Sequence, residues 1–314
     1  MSMRRFQVAE TSMLPALSPG EEFVASDSVI PATGDIVALP HPERPGFWLV
    51  KRLAGVPGET PVDRPLSDNE AWVLSDNSAA TRADSRTLGP VPFDRLWARV
   101  THLDEHTFAE AVHLLVDEEP ALAAIVQQWG LPAFWARGPG FPTLVLLILE
   151  QQVSLESGAA MYRRLIDLIG AVEPVSILAA GEAGLVAIGV TRQKAGYLVS
   201  LAEAVLSGTL DLGGLGDLPA EDAHTQLVAM RGIGQWTADA YLLSALRLPD
   251  IFPVGDRALQ VGAAEALGLG EIPSPDMLEV LSAPWRPVRA AAARLIWHLY
   301  LMRRGRSEPA LPVT

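Results

Sequence analysis

The chain has 314 residues, 49% hydrophobic and 19% charged, which is enough apolar material for two folded domains and a poor match to disorder or a coiled coil. The net charge of −13 argues against a protein that coats nucleic acid non-specifically, although it permits a local basic surface. The chain contains no cysteine, which excludes disulfides, iron–sulfur clusters and thiol nucleophiles. It also has no apolar run of the ~18 residues that a membrane span needs, so we expect a soluble, cytoplasmic protein.

The chain divides into two consecutive segments that differ in composition and in the spacing of their apolar residues. Residues 1–104 hold 11 of the 25 prolines, and their short apolar runs are separated by turn residues, which predicts a small, irregular all-β domain. Residues 105–314 have helical periodicity and short loops, which predicts an all-α domain. The predicted helices cover residues 107–117, 119–129, 141–153, 155–170, 195–207, 221–230, 234–246, 255–266, 276–282 and 286–303.

The most informative stretch is LVAMRGIGQWTADAYLLSAL, residues 227–246. Its Gly-Ile-Gly turn allows backbone torsions closed to other residues, and the free N–H groups that start the next helix can face a phosphate. An ordinary corner between two helices would use the same residues. The motif PVGDRALQ then places Asp256 at the start of another helix, where an aspartate can equally be a plain N-cap.

Further motifs accompany this hairpin in order: FPTLVLLILEQQVS (141–154), TRQKAGYLVSLAEAV (191–205) and PWRPVRAAAARLIWHLY (284–300). Together the motifs resemble the helix-hairpin-helix superfamily of base-excision DNA glycosylases, and within it the 3-methyladenine DNA glycosylase II family. The resemblance spans about residues 107–306. It implies an all-α glycosylase domain that acts as a monomer on double-stranded DNA containing alkylated bases.

The resemblance also implies roles for individual residues. Asp256 falls at the catalytic aspartate, and Trp236 and Trp297 fall at aromatic positions that line the lesion pocket. Gln151 and Gln152 occupy the loop that fills the gap left by an extruded base. The residues that would contact DNA are those of the hairpin: Arg231, Gly232, Ile233, Gly234 and Thr237. No cofactor is required, although such hairpins tend to hold a monovalent cation on their backbone carbonyls, here within 229–234.

The residue types suit the chemistry that the resemblance implies. An electron-rich indole face binds a cationic, N-alkylated purine, and a carboxylate stabilises the positive charge that develops on the sugar. Relatives that also cut the DNA backbone use a lysine in the second hairpin helix, where this chain has Trp236. The only lysine of the helical segment, Lys194, lies elsewhere, so we expect a monofunctional glycosylase.

The N-terminal segment carries the motifs SMLP (12–15), VKRLAGVPGE (50–59) and DSRTLGPV (84–91) in order. They resemble the soluble catalytic core of type I signal peptidases, including the maturation proteases of nickel superoxide dismutase, over about residues 8–101. The resemblance implies a peptide substrate, with Ser12 as nucleophile and Lys51 as general base. Burial beside apolar neighbours would lower the pKa of Lys51, as that role requires.

One departure from this second pattern affects the expected activity. The serine that normally orients the lysine is replaced by Arg82, with Thr81 one place away. Three interpretations therefore remain: a glycosylase with an appended peptidase, a Ser/Lys peptidase whose helical domain only binds DNA, and a glycosylase whose β domain is an inert interaction module.

Overall fold

The computed structural model describes residues 2–306, and the chain divides into two compact units. The first comprises the chain up to Glu118 together with Arg286–Val288, and the second comprises Glu119–Trp285 and the segment from Arg289 onward. The first is built on an antiparallel β-sheet and the second is helical. The predicted fold class, an all-β part followed by an all-α part, is confirmed.

The β unit is organised around a seven-stranded sheet in the order β1-β2-β7-β3-β4-β5-β6, and every pair is antiparallel. Alternate residues face two apolar clusters, one containing Phe6, Met13 and Phe23 and the other containing Leu53 and Val73. Both faces of the sheet are therefore covered. The strands are β1 (Met3–Gln7), β2 (Glu22–Ser26), β3 (Ile36–Pro40), β4 (Trp48–Gly55), β5 (Glu70–Leu74), β6 (Val91–Pro92) and β7 (Trp97–Arg99), with a short helix α1 (Ser85–Leu88) before β6.

Helix α2 (Glu105–Glu118) packs with the β unit, although the sequence pattern groups it with the helices that follow. The buried carboxylate of Glu110 accepts hydrogen bonds from the hydroxyls of Ser26 (2.6 Å) and Ser28 (3.2 Å). At the end of the helix, Arg5 donates to Glu118 across 2.7 Å. Periodicity shows which face of a helix is apolar but not which element covers that face, so the sequence pattern does not reveal that α2 packs on the β unit.

The helical unit contains ten helices within its described residues. The fourth helix of the chain is buried on all sides apart from Pro142, as expected for the central helix of a unit this size. The helices are α3 (Pro120–Trp129), α4 (Phe141–Glu150), α5 (Leu155–Ile169), α6 (Pro174–Ala187), α7 (Arg192–Leu206), α8 (Ala220–Val228), α9 (Gln235–Ser244), α10 (Arg257–Leu267), α11 (Pro275–Ser282) and α12 (Arg289–Arg303). Over residues 2–306 no single helix has the length and apolarity of a membrane span, while the bent pair α5 and α6 passes that test jointly by length and composition.

Helix α6 is absent from the helices that the sequence predicts. It contains two glycines, and Gly181 breaks the helical torsions with a φ of +61°. Its apolar residues are spread around the helix rather than along one stripe, so the period-3.6 signal that reveals other helices is missing. Its packing on α7 compensates for the weak local preference.

Candidate active sites

Asp256 lies at the N-terminus of α10, where its Oδ1 accepts a hydrogen bond from the backbone N–H of Leu259 at 2.8 Å. The N-cap role is therefore real, but it is not the only one. The indole Nε1 of Trp236 donates to Oδ2 at 2.8 Å, and the indole Nε1 of Trp297 donates to Oδ1 at 3.0 Å. Three N–H donors thus fix both oxygens of one carboxylate.

The carboxylate lies at the wall of a pocket of about 880 Å³ in the helical unit. Trp236 and Trp297 both line this pocket. A third indole, Trp135, stacks on Trp297 with ring centroids 5.7 Å apart, and the Arg294 guanidinium lies 3.5 Å from the centroid of the Trp135 ring. Sequence reasoning missed Trp135 because it lies in a loop without periodicity; a tryptophan in that Gly/Pro-rich loop is the only signal.

A buried ion pair forms another part of the pocket wall. Arg137 donates to the two carboxylate oxygens of Glu150 at 2.9 and 3.1 Å, and both side chains are almost fully buried. Burial raises the pKa of Glu150, while the Arg137 guanidinium opposes that rise. A Cβ on Gly158 would lie 2.5 Å from the Glu150 Cγ, so only glycine lets α5 approach this closely. The pair gives the pocket a polar wall without net charge.

The hairpin between α8 and α9 depends on two glycines in different ways. Gly232 has a φ of +90°, and a Cβ there would lie 2.2 Å from the Cγ of Tyr197. Gly234 has no atom within 4 Å of its missing Cβ, and it precedes α9 without any side-chain cap. The first backbone N–H groups of α9 therefore remain available to an anion.

The other predicted hairpin residues divide into exposed and buried ones. Arg231 is exposed, and its guanidinium lies 5.9 Å from the ring centroid of Tyr197. Ile233 and Thr237 are buried, so their side chains anchor the hairpin rather than face outward. The part of the hairpin that is accessible to solvent is therefore the glycine backbone and the Arg231 side chain. A groove of about 1160 Å³ is lined by Gly232, Gly234 and Arg257.

The two glutamines of the α4–α5 loop have different environments. The side-chain amide of Gln151 donates to the Gly232 carbonyl at 2.8 Å and to the Thr237 hydroxyl at 2.9 Å. Gln152 is exposed, lines the groove and has a φ of +58°. Gln151 therefore fastens the loop to the hairpin instead of projecting from it, and only Gln152 has the placement expected of a gap-filling residue.

The monovalent cation that the sequence resemblance implies would be held by backbone carbonyls of residues 229–234, two of which already accept hydrogen bonds. Within residues 2–306, no three His, Asp or Glu side chains are grouped so that they could hold a metal ion. The Gly232 carbonyl is bonded to Gln151 and that of Met230 accepts from the Ile233 N–H at 3.1 Å. Neutral backbone oxygens suit a weakly bound monovalent ion better than a divalent one, which prefers carboxylates.

In the β unit, Lys51 lies in β4 opposite Val37 and is 2% exposed. Burial lowers its pKa, although Asp84 and Glu10 oppose that effect. Ser12 lies in a single helical turn that contacts β4, and its carbonyl accepts from the Asn77 N–H at 2.9 Å. Across the described chain, no hydrogen bond joins Ser12 to Lys51.

The DSR segment next to this site is rigid. The carboxylate of Asp84 is desolvated, yet hydrogen bonds from Arg86 and from the Ser75 N–H lower its pKa to about 2. Arg82 is exposed, and the hydroxyl of Thr81 is occupied by the Ala83 N–H at 3.0 Å. Among residues 2–306, no hydrogen bond or ion pair joins Thr81 or Arg82 to Lys51.

Sequence reasoning missed a buried hydroxyl near Lys51. Arg52 pairs with Leu74, so the same register makes Lys51 and Ser75 cross-strand neighbours. The Ser75 Oγ is buried and has no hydrogen-bond partner among the described residues.

The helical unit matches the family described as HhH-GPD superfamily base excision DNA repair protein over residues 145–287. A DNA-3-methyladenine glycosylase of Bacillus subtilis is 30% identical over 112 residues, which is 36% of this chain and 37% of that protein. The chain therefore spans well under half the length of this relative. The structure of a DNA-3-methyladenine glycosidase from Bacillus halodurans is 28% identical, with a TM-score of 0.56 over 63% of this chain and 91% of that chain.

Residues 1–64 match the family described as signal peptidase, peptidase S26. Mitochondrial inner membrane protease subunit 1 of Schizosaccharomyces pombe is 35% identical over 112 residues, covering 30% of this chain and 71% of that protein. The N-terminal part belongs to the S26 signal peptidase family, and the helical part carries an HhH-GPD base excision repair domain over residues 145–287. Within the superfamily, its homologues are 3-methyladenine DNA glycosylases.

Proposed function

We propose that the helical unit is a monofunctional DNA glycosylase that hydrolyses the glycosidic bond of N-alkylated purines, chiefly 3-methyladenine, and leaves an abasic site. The observation that carries this proposal is the carboxylate of Asp256, held by the indole N–H groups of Trp236 and Trp297 at the wall of an aromatic pocket. Two rings and one carboxylate in this arrangement suit a cationic base attached to a sugar that becomes cationic.

In the proposed reaction, the damaged nucleotide leaves the base stack and enters the pocket at a cost of a few kcal/mol. The indole faces favour a positively charged base by about 0.5–2 kcal/mol, which selects alkylated purines without a hydrogen-bond code. The C1′–N bond then breaks, and its electron pair goes to the base nitrogen, which neutralises the cationic base. Because the base leaves neutral, no proton donor is needed for departure.

Asp256 acts on the sugar in this scheme. Its carboxylate stabilises the positive charge that develops at C1′ and orients the water that adds there, and the proton of that water is released. Hydrogen bonds from Trp236, Trp297 and the Leu259 N–H hold the oxygens in place before the substrate arrives. The carboxylate therefore pays little reorganisation on reaching the transition state.

Double-stranded DNA is the partner that the accessible hairpin suits. The uncapped start of α9 offers N–H groups to a phosphate, the exposed Arg257 lines the same groove, and the exposed Arg231 belongs to the hairpin itself. A monovalent cation on the hairpin carbonyls would add positive charge near that phosphate.

Strand cleavage is not expected to accompany base release. A Schiff base requires an amine that can reach C1′, and the residue at the corresponding position is Trp236. The Lys194 ammonium is bonded to two backbone carbonyls, at 2.8 Å each. Borohydride should trap no covalent protein–DNA adduct, and an adduct would contradict the monofunctional assignment.

The decisive experiment measures base release from duplex DNA alkylated at purines. Asp256→Asn keeps the shape and one acceptor of the side chain but removes its charge, so the rate of release should fall by about a hundredfold or more while DNA binding persists. Asp222→Asn is a matched control, because Asp222 is exposed in α8 of the same unit and does not line the pocket. Full turnover by Asp256→Asn would refute the proposal.

A second candidate function concerns the β unit, which we propose is a Ser/Lys endopeptidase. The favouring observation is the buried Lys51, whose lowered pKa suits a general base for Ser12. Cleavage should prefer peptides with small residues before the scissile bond, and both Ser12→Ala and Lys51→Ala should abolish it. Base release that survives both changes would show that the two activities are independent, whereas its loss in folded Ser12→Ala protein would contradict that separation.

A further inference from the structure

Lys194 is half-buried, and its ammonium group bonds to backbone carbonyls of the helical unit. It lies in the first turn of α7, and its Nζ is 2.8 Å from the carbonyl oxygens of both Leu149 and Gln151. These carbonyls belong to the end of α4, where the last C=O groups of a helix lack partners within the helix. A long, flexible side chain with three donors can serve both at once.

The same loop is fastened on its other side by Gln151. Its side-chain amide donates to the Gly232 carbonyl at 2.8 Å and to the Thr237 hydroxyl at 2.9 Å. Backbone and side chain of this one residue are therefore held by different elements, the backbone by α7 and the side chain by the hairpin. The end of α4 cannot shift without breaking bonds to one or the other.

The hydrogen bonds of Lys194 and Gln151 fix the backbone position of the next residue, Gln152. It has a φ of +58°, a strained backbone conformation for a non-glycine residue that persists where the surroundings enforce it. Its side chain is exposed on the groove that contains the hairpin. An amide offers a donor and an acceptor, so it can replace the hydrogen bonds of a base that has left the stack.

We propose that Lys194 is a positioning residue for base extrusion, which fixes the end of α4 so that Gln152 faces the DNA in register with the phosphate-binding hairpin. The inference rests on the proposed glycosylase function and extends it to a residue far from the reacting atoms. Lys194 contacts neither the base nor the sugar in this scheme. Burial lowers its pKa, and its two carbonyl acceptors compensate for the burial of the charged form.

The test compares Lys194→Met, which keeps the length and removes the donors, with Arg192→Met. Arg192 is exposed in the same helical turn, so the control removes an equal charge and leaves the hydrogen bonds of Lys194 intact. Single-turnover base release is measured on two duplexes: one fully paired, and one in which the lesion faces an abasic site and needs little extrusion.

Lys194→Met should lower the rate on the paired duplex by about tenfold and on the abasic-opposed duplex by much less, because only the former depends on gap filling. Gln152→Ala should show the same selectivity, and the double variant should lose no more than the larger single loss. Equal losses on both duplexes, or additive losses with Gln152→Ala, would overturn the proposal.

A measurement without DNA separates this inference from the proposed function. Hydrogen exchange read by mass spectrometry should show faster exchange at residues 149–153 in Lys194→Met than in wild type or Arg192→Met, with α9 unchanged. Unchanged exchange in that segment would show that Lys194 does not hold the end of α4, even if the enzyme is active. If wild type released no base from either duplex, the proposed function would fail. The exchange result would still show whether Lys194 holds the end of α4.

Discussion

The indole nitrogen of Trp236 lies 2.8 Å from Oδ2 of Asp256, so a ring that lines the pocket also holds the carboxylate beside it. Trp297 repeats this relationship with the other oxygen at 3.0 Å. Base recognition and carboxylate placement therefore depend on the same two side chains. A change in either ring should affect both selectivity and rate.

Replacing Trp236 by phenylalanine separates the two contributions, because it keeps an aromatic face and removes the N–H donor. A hydrogen bond to a charged group contributes about 1.5–3 kcal/mol, so the rate of base release should fall about 10- to 100-fold. The affinity for DNA with an alkylated base should change much less. Trp297→Phe should behave alike, and a loss of affinity without loss of rate would show that the N–H groups do not matter for catalysis.

The two hairpin glycines should respond oppositely to alanine. Gly232→Ala adds a methyl group against Tyr197 at a positive φ, so the free energy of unfolding should fall by at least about 2 kcal/mol. Gly234→Ala meets no atom and should cost less than about 1 kcal/mol, while its Cβ obstructs a phosphate at the start of α9 and weakens DNA binding. Denaturation and DNA titration of both variants check this, and equal stabilities would contradict it.

Asp239 in α9 should make stability depend on pH near neutrality. Burial raises its pKa from 3.8 to about 7; Arg289 lowers it, Glu279 raises it, and His224 Nε2 lies 3.4 Å from Oδ1. The folded protein holds this proton more tightly than the unfolded chain, so the contribution to stability is full below about pH 4 and is lost as pH rises to about 7.

Asp239→Asn cannot ionise and should therefore raise the thermal midpoint more at pH 8 than at pH 5. The exposed Asp222 of α8 supplies a control, since Asp222→Asn should give no such difference. A midpoint for Asp239→Asn that is lower than wild type by the same amount at both pH values would show that the carboxylate is not destabilised by burial.

Lys51 should lower the free energy of unfolding of the β unit at neutral pH. Its pKa is lowered from 10.5 by burial, so the folded unit binds this proton less tightly than the unfolded chain, and stability rises as pH approaches 10.5. Lys51→Met should raise the midpoint at pH 7, with a smaller gain at pH 10, and should abolish peptide cleavage. Arg52→Met, which breaks the ion pair with Asp76, should lower the midpoint instead.

Much of the architecture could be predicted from sequence because the motifs are local. Glycine spacing in the hairpin, the aspartate at the start of α10 and the change from short β runs to helical periods all depend on neighbouring residues. The partner of α2 could not be predicted, because Glu110 bonds to Ser26 and Ser28, more than eighty residues away.

For the candidate site, the sequence likewise indicates local features but not contacts between distant elements. Its residue types were indicated by order and spacing, but their geometry was not: the pairing of two indoles on one carboxylate joins α9, α10 and α12. The inward orientation of Gln151 and the stacking of Trp135 on Trp297 likewise depend on tertiary packing. Spacing along one helix carries no information about such contacts.

The uncapped start of α9 has a consequence for how this acidic chain meets a polyanion. Backbone N–H groups carry no net charge, so a phosphate held by them displaces fewer condensed counterions than one neutralised by a lysine. Lys51 is buried and the Lys194 ammonium is bonded to backbone carbonyls, so at the hairpin the exposed Arg231 and Arg257 are the side-chain charges that supplement these N–H groups. The affinity of the chain for DNA should therefore decline less steeply with ionic strength than that of a basic protein with the same number of phosphate contacts.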